Sequence, residues 1–209
     1  MTTGRGRPRD AQIDAAVLQV TAEVLDQQGY RGVVIEDVAR RAGVSKTAVY
    51  RRWPNRYRLT IAVLEDRLGR IGAPSTGCTL CDLHECLVLT TDAFCRLGAG
   101  TLAQLIAEGG DDPSAHQHLT EAVLDPPRQA VHRTLFEARE RGDLRSEVDL
   151  PLVVDALSSL VFYRLLLGAD PMSPEEIEAV VIALLRGIAT DADALLREAA
   201  GHEEHQPQS

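Results

Sequence analysis

Residues 35–56 read IEDVARRAGVSKTAVYRRWPNR, and three of them leave the backbone few options. Ala39 is small enough to let two helices cross closely. Gly43 can take the positive φ that ends a first helix. Val49, six residues further on, points back into the angle between the two helices. Ser45 is placed to cap the second helix, which leaves Lys46, Thr47, Tyr50, Arg51 and Arg52 to project outward. The stretch therefore predicts a helix-turn-helix with a cationic, hydrogen-bonding second helix, as a recognition helix in a DNA major groove requires. A generic helical hairpin is the competing reading. The basic face argues against it.

Net charge looks at first like an objection. The 209-residue chain carries −9 overall, but the charge is divided unevenly. Residues 1–70 hold 13 Arg or Lys against 8 Asp or Glu, whereas residues 71–209 hold 9 against 23. A basic head on an acidic body presents one end to phosphates and keeps the other away from them. Of the 22 basic residues only Lys46 is a lysine.

Apolar periodicity predicts an all-α fold with almost no strand signal. Helices are expected near 12–28, 35–42, 46–52, 56–71, 80–97, 99–108, 114–124, 127–141, 149–168 and 174–199. The breaker Gly72-Ala73-Pro74-Ser75-Thr76-Gly77 separates a head, 10–71, from a body, 78–200. A basic arm, 1–9, precedes the head and a polar tail, 201–209, follows the body. The amino terminus lacks the pattern of a signal peptide. The most apolar stretch, 150–169, is interrupted by Asp155 and Arg164 and reads as an amphipathic helix, not a membrane span. A cytoplasmic protein with reduced thiols is the expectation.

The run Gly29-Tyr30, then Val38-Ala39-Arg40-Arg41-Ala42-Gly43-Val44-Ser45-Lys46, then Tyr50-Arg51-Arg52-Trp53-Pro54 resembles the TetR family of bacterial transcription regulators. The resemblance covers about residues 10–70. It implies a three-helix DNA-binding head, a larger helical body that binds ligand and dimerises, and a palindromic operator. On the matching positions it puts Lys46 and Thr47 at base edges or nearby phosphates, with Tyr50 and Arg52 on the backbone. Ser45 and Arg51 complete the candidate face. Arg56 stands where the family usually has lysine, which keeps the charge but presents its donors differently. Tyr30 and Trp53 read as core, and Arg40, Arg41 and Arg58 as a solvated face. In the arm, Gly4-Arg5-Gly6-Arg7-Pro8-Arg9 resembles the Arg-Gly-Arg-Pro core of an AT-hook, so Arg5, Arg7 and Arg9 are candidate minor-groove contacts. The alternative is a basic tail with only sequence-independent attraction.

For the body, the resemblance implies a homodimer through the last helices, about 149–168 and 174–199, with Phe162, Tyr163 and Leu166 as candidate anchors. Thr76-Gly77 with Asp82-Leu83, and Arg141-Gly142-Asp143 leading to Asp149, are similar to one branch of the family's carboxyl-terminal domains. Gly142 reads as a helix C-cap. Candidate residues around an unknown small-molecule effector are Phe94, Leu102, Leu105, Phe136 and Tyr163. All four cysteines lie between Cys78 and Cys95, and the Cys78–Cys81 pair permits a thiol- or zinc-responsive alternative. Geometry weakens it, because on one helix Cys81 and Cys86 stand about 140° apart and Cys86 and Cys95 about 180°. Ligands such as His84, His116 or His118 would have to complete a metal site. No metal site, cofactor or catalytic constellation is expected. The reading is a homodimeric repressor released by a small molecule. A helical enzyme or binding protein with an incidental hairpin is the remote alternative.

Overall fold

Helix α1, Arg7–Gln28, starts five residues before the expected boundary and runs through Pro8 near its first turn. A proline there gives up only an N–H that the helix would leave unpaired. The computed structural model describes residues 7–167 and 170–203. Gly29, at φ 69°, ends α1, and a 3₁₀ turn, Tyr30–Gly32, leads into the helix-turn-helix. Helix α2 is Ile35–Arg41, α3 is Lys46–Tyr50 and α4 is Arg56–Leu68. Asn55 caps α4 by accepting from the Arg58 N–H at 2.9 Å.

These helices form one compact unit, Met1–Gly69, with a second segment, Leu97–Val123. Helix α5, Thr79–Leu97, contributes its last residue to this unit. Helices α6, Ala99–Gly109, and α7, Pro113–Leu119, lie wholly within it. Val17, Val24, Leu25, Val38, Val49, Leu59, Ile61, Leu64, Leu102 and Leu105 form its buried interior. Each fully buried aliphatic side chain contributes about 1.5–3 kcal/mol. Ion pairs tie the helices at their edges: Arg41 to Glu23 at 2.9 Å and Arg67 to Asp26 at 2.7 Å.

The other unit holds Arg70–Arg96 and Leu124–Ser209. It contains most of α5, then α8 (Asp125–Glu140), α9 (Leu150–Leu166), α10 (Pro174–Ile188) and α11 (Ala192–Glu203). The motif residues noted in this region act as caps and ties. Asp82, buried, accepts from the Thr76 and Gly77 N–H groups at the approach to α5. Gly142, at φ 87°, closes α8 with N–H bonds from Gly142 to Arg139 and from Asp143 to Ala138. Arg141 and Asp143 then clasp Thr79 at 2.7 and 2.6 Å, which ties the end of α8 to the start of α5. Asp149 caps α9 through the Leu152 N–H. Ser173 and Glu176 form a reciprocal capping box on α10.

The expected single helix over 174–199 is two helices. The segment after α8 returns beside Ile188–Thr190 and takes the backbone bonds that a continuing helix would use. Arg145 N–H donates to the Ile188 carbonyl at 3.0 Å, and Thr190 N–H to Asp143 at 2.8 Å. This leaves an isolated antiparallel bridge, Leu144 with Ala189, and no strand among the described residues. Asp191 restarts the helix by accepting from the Ala194 N–H. Among the described residues no single helix is long and apolar enough to cross a membrane.

Candidate nucleic-acid interface

The turn between α2 and α3 has the geometry its residues predict. Gly43 sits at φ 68°, and the Val44 N–H reaches back to the Ala39 carbonyl at 3.0 Å. Ser45 Oγ accepts from the Ala48 N–H at 3.2 Å, capping α3. Ala39 and Val49 are sealed in the angle, at 1% and 0% exposure. Hydrogen bonding continues past Tyr50, with Arg51 N–H on Thr47 and Trp53 N–H on Val49, so the turn reaches the expected end near residue 52. Lys46, Thr47, Tyr50 and Arg51 are exposed together on this element.

A carboxylate lies inside that face. Glu36, in the first turn of α2, accepts from Tyr50 Oη at 3.1 Å and pairs with Lys46 Nζ at 3.8 Å, both through Oε1. Its own backbone N–H, then the Tyr50 hydroxyl, hold the Glu36 carboxyl below the usual range, with Lys46 adding to the effect. The same hydrogen bond raises the Tyr50 phenol. Sequence reasoning missed Glu36. Ten residues separate it from Lys46, and locally it looks like an acidic group placed to favour a helix N-terminus.

Two candidate phosphate contacts, Arg52 and Arg56, also bond within the head. Arg52 pairs with Asp14 of α1 and donates to the Ala48 carbonyl at 3.0 Å, with its side chain only 14% exposed. Arg56 donates to Glu108 of α6 at 2.9 Å, and its guanidinium lies 4.7 Å from the centre of the Tyr30 ring. Burial, and after it the Glu108 carboxylate, push the Tyr30 phenol well above its ordinary range. Next along α4, the buried Tyr57 donates from its hydroxyl to the Ala115 carbonyl at 3.1 Å. Arg58 reaches Ser114 at 3.3 Å. The start of α4 is thus held by α6 and α7. Arg40 does read as solvated, paired with Asp37 on its own helix and 72% exposed. Arg5 lies outside the described residues, and Arg7 and Arg9 stand on the helical backbone of α1, not on an extended arm.

Residues 17–63 match the model of the bacterial regulatory proteins, tetR family, and residues 73–184 match the tetracyclin repressor-like C-terminal domain. The chain belongs to the TetR family. Over 92% of its length and 98% of the relative's, it is 26% identical to the uncharacterized HTH-type transcriptional regulator YdeS of Bacillus subtilis. It is 28% identical to the DNA-binding transcriptional repressor TetR of Mycobacteroides abscessus, over 87% and 96% of the two chains. The crystal structure of TetR family transcription regulator SCO0332 superposes with a TM-score of 0.66 at 31% identity, covering 84% of this chain and 98% of that one. This TetR-family protein is an HTH-type, DNA-binding transcriptional regulator, and its relatives are transcriptional regulators.

The regulator's candidate effector residues fall in both compact units. Phe94 is buried in the unit of α5 and α8–α11, where its ring meets Phe162 at 4.6 Å. Leu102 and Leu105 are fully buried in the unit that contains the helix-turn-helix. Phe136 and Tyr163 are 42% and 61% exposed. Phe136 stacks on His132 and Arg139 along its own helix. Period-3.6 patterning identifies aromatic residues on a helix but not which of two faces is covered. Of the three dimer candidates, Tyr163 is exposed, Phe162 faces Phe94, and Leu166 is half-buried.

Cys78 and Cys81 are joined as a disulfide, where reduced thiols were expected. Three-residue spacing across the start of α5, with Cys78 just before the helix and Cys81 in its first turn, brings their Cα atoms to 5.3 Å, within bonding range. Cys86 is buried and Cys95 exposed. Burial pushes the Cys86 thiol up to about 11. Among the described residues no three His, Cys, Asp or Glu side chains converge to hold a metal ion.

Proposed function

We propose that this regulator acts as a homodimeric repressor of a palindromic operator and is released by a small-molecule effector. One observation carries the dimer: an apolar and small-residue stripe left open along the last long helices. Leu152, Ala156, Ser159, Tyr163 and Leu167 recur at helical spacing along α9 and just past its end, all exposed. Leu152 is 66% exposed and Leu167 69%. On α10 the exposed positions include the small residues Ala179, Ala183 and Gly187, over which a second helix can approach closely. Exposed apolar side chains such as Leu152, Tyr163 and Leu167 on one helical line are what a partner helix would cover. A two-fold dimer also gives two recognition helices for half-sites about one helical turn apart.

Support for an effector comes from the interior around α5. Thr90 and Thr91 are buried on α5, at 3% and 7% exposure, and the Thr91 hydroxyl has no hydrogen-bond partner among the described residues. Thr134 on α8 reaches the same Cys86 thiol as Thr90, and Ser158 on α9 is also buried. No Lys or Arg is buried there, and Asp82 is already bonded to Thr76 and Gly77. This suits a neutral, largely apolar effector with a hydrogen-bonding group. The action is placed in the cytoplasm, with the chromosome. The test is sedimentation of the purified protein with and without Tyr163→Glu and Leu152→Glu, paired with binding to a palindromic duplex selected by the wild type. The reading expects a wild-type dimer, monomeric variants with intact helicity, and loss of binding on monomerisation. Wild-type monomer that binds the palindrome at full strength overturns it.

A further inference from the structure

An acidic side chain in the middle of a DNA-reading face is costly unless it has a task there. Near phosphates it lowers the local positive potential, and here it also occupies two of the groups that would meet DNA. Glu36 accepts from Tyr50 at 3.1 Å and holds Lys46 at 3.8 Å. Lys46 is the chain's only lysine, and its neighbours Arg52 and Arg56 are engaged with Asp14 and Glu108. We propose that Glu36 is a specificity-determining residue: it restrains Lys46 and Tyr50 away from operator DNA and, on the operator, accepts the N4 amine of a cytosine.

The chemistry selects one base. A carboxylate can only accept hydrogen bonds, so the major-groove edge it meets must donate. Guanine offers N7 and O6, both acceptors, and thymine offers O4 beside a methyl group. Adenine donates from N6, but its N7 acceptor sits alongside and repels the second carboxylate oxygen. Cytosine donates from N4 and is flanked on the groove side by an apolar C–H edge. It alone satisfies Glu36 without a new repulsion.

The same geometry penalises wrong DNA. Random sequence offers phosphates to Lys46 and Tyr50, but taking them strands the Glu36 charge among phosphates without a donor. At a cognate site the released carboxylate gains the amine while Lys46 and Tyr50 turn to the backbone. Discrimination thus comes partly from a repulsive element built into the face, not only from added contacts.

The experiment uses the full chain as wild type, Glu36→Gln and Glu36→Asp. Each protein selects duplexes from a randomised pool, then is titrated on its selected duplex and on random-sequence duplex between 50 and 200 mM salt, about the range over which phosphate contacts are resolved. Wild type should enrich cytosine at one position in each half-site. Glutamine pairs its amide with adenine N6 and N7, so Glu36→Gln should move that position to adenine. It should also bind random DNA several-fold more tightly, with a salt slope steeper by about one, as Lys46 is freed for phosphate. Glu36→Asp keeps the charge but shortens the reach. It should bind random DNA more tightly than wild type but less tightly than Glu36→Gln, because the charge stays while its hold on Lys46 and Tyr50 loosens, and lose about tenfold in cytosine preference. The inference rests on α3 reading DNA, and the two fail differently. If the wild type enriches no sequence, α3 reading fails. If it enriches a site and all three proteins share the same bases and the same random-DNA affinity, Glu36 is a surface acid and the inference is overturned. Glu36 is only half-buried, so all three are expected to fold, and the aspartate arm decides alone should the glutamine protein not.

Discussion

A methyl group added at Gly109 should loosen the DNA-reading head, although Gly109 lies far from the recognition helix in sequence. A Cβ there would sit 2.3 Å from Tyr57 Oη and 3.2 Å from Tyr57 Cζ. Tyr57 cannot swing away freely, because it is 4% exposed and its hydroxyl is bonded to the Ala115 carbonyl. Gly109→Ala must therefore displace the ring or push α4 from α6. Overpacking of this kind costs about 1–3 kcal/mol, and breaking the bond to Ala115 adds about 1 kcal/mol. Against this, alanine is favoured over glycine in a helix by up to about 1 kcal/mol. The net expectation is a loss of about 1–3 kcal/mol, or a fall in Tm of roughly 2–12 °C for a chain of this size. The telling comparison is the double variant. Tyr57→Phe removes the oxygen at 2.3 Å and leaves the nearest atom at 3.2 Å, so it should recover about half the loss in the Gly109→Ala background. Thermal melts of wild type, both single variants and the double variant measure this coupling directly. Strictly additive single effects, or a Gly109→Ala protein as stable as wild type, would refute the contact as the cause.

Arg52→Ala should lower Tm by removing the tie between α1 and α3, about 1–2 kcal/mol for a largely buried guanidinium bonded to Asp14 and to the Ala48 carbonyl. Its operator affinity should fall with little change in salt slope, whereas a true phosphate contact would flatten the slope by about one. His118 is held below its ordinary pKa, first by burial and then by the Arg58 charge. A depressed histidine favours the neutral form in the folded state, so its contribution is complete above the unfolded value and is lost as pH falls through the folded one. His118→Gln should therefore lose less stability than wild type between pH 7.5 and 5, about the window set by an ordinary histidine near 6.5, in paired melts. A thiol titration at pH 8, about three units below Cys86, should find Cys95 reacting in the native protein and Cys86 only on unfolding. Cys78 and Cys81 should add their thiols only after reduction.

The helix-turn-helix was legible because its determinants are local. Gly43, Ser45, Ala39 and Val49 act within ten residues of one another, and each finds the conformation or burial its type demands. Gly142 as a helix terminator was legible for the same reason. What escaped the sequence depends on partners distant along the chain. Arg56 meets Glu108, Arg52 meets Asp14, and the backbone bonds that break 174–199 come from Asp143 and Arg145. The grouping of Leu97–Val123 with the head has no local signal either, since it is set by Tyr57, Arg56 and Arg58 reaching α6 and α7. Phe136 and Tyr163 show the limit of aromatic content as a guide, because both belong to faces that the chain's own core does not cover.

On the proposed reading, two copies of this chain read one palindrome. Native mass spectrometry of the protein on its selected duplex, beside the same duplex cut to a single half-site, tests it most directly. A dimeric reader should put two protomers on the palindrome and bind the half-site at least about hundredfold more weakly, on the order of the specificity seen for dimeric readers. One protomer bound equally well to both duplexes would contradict it.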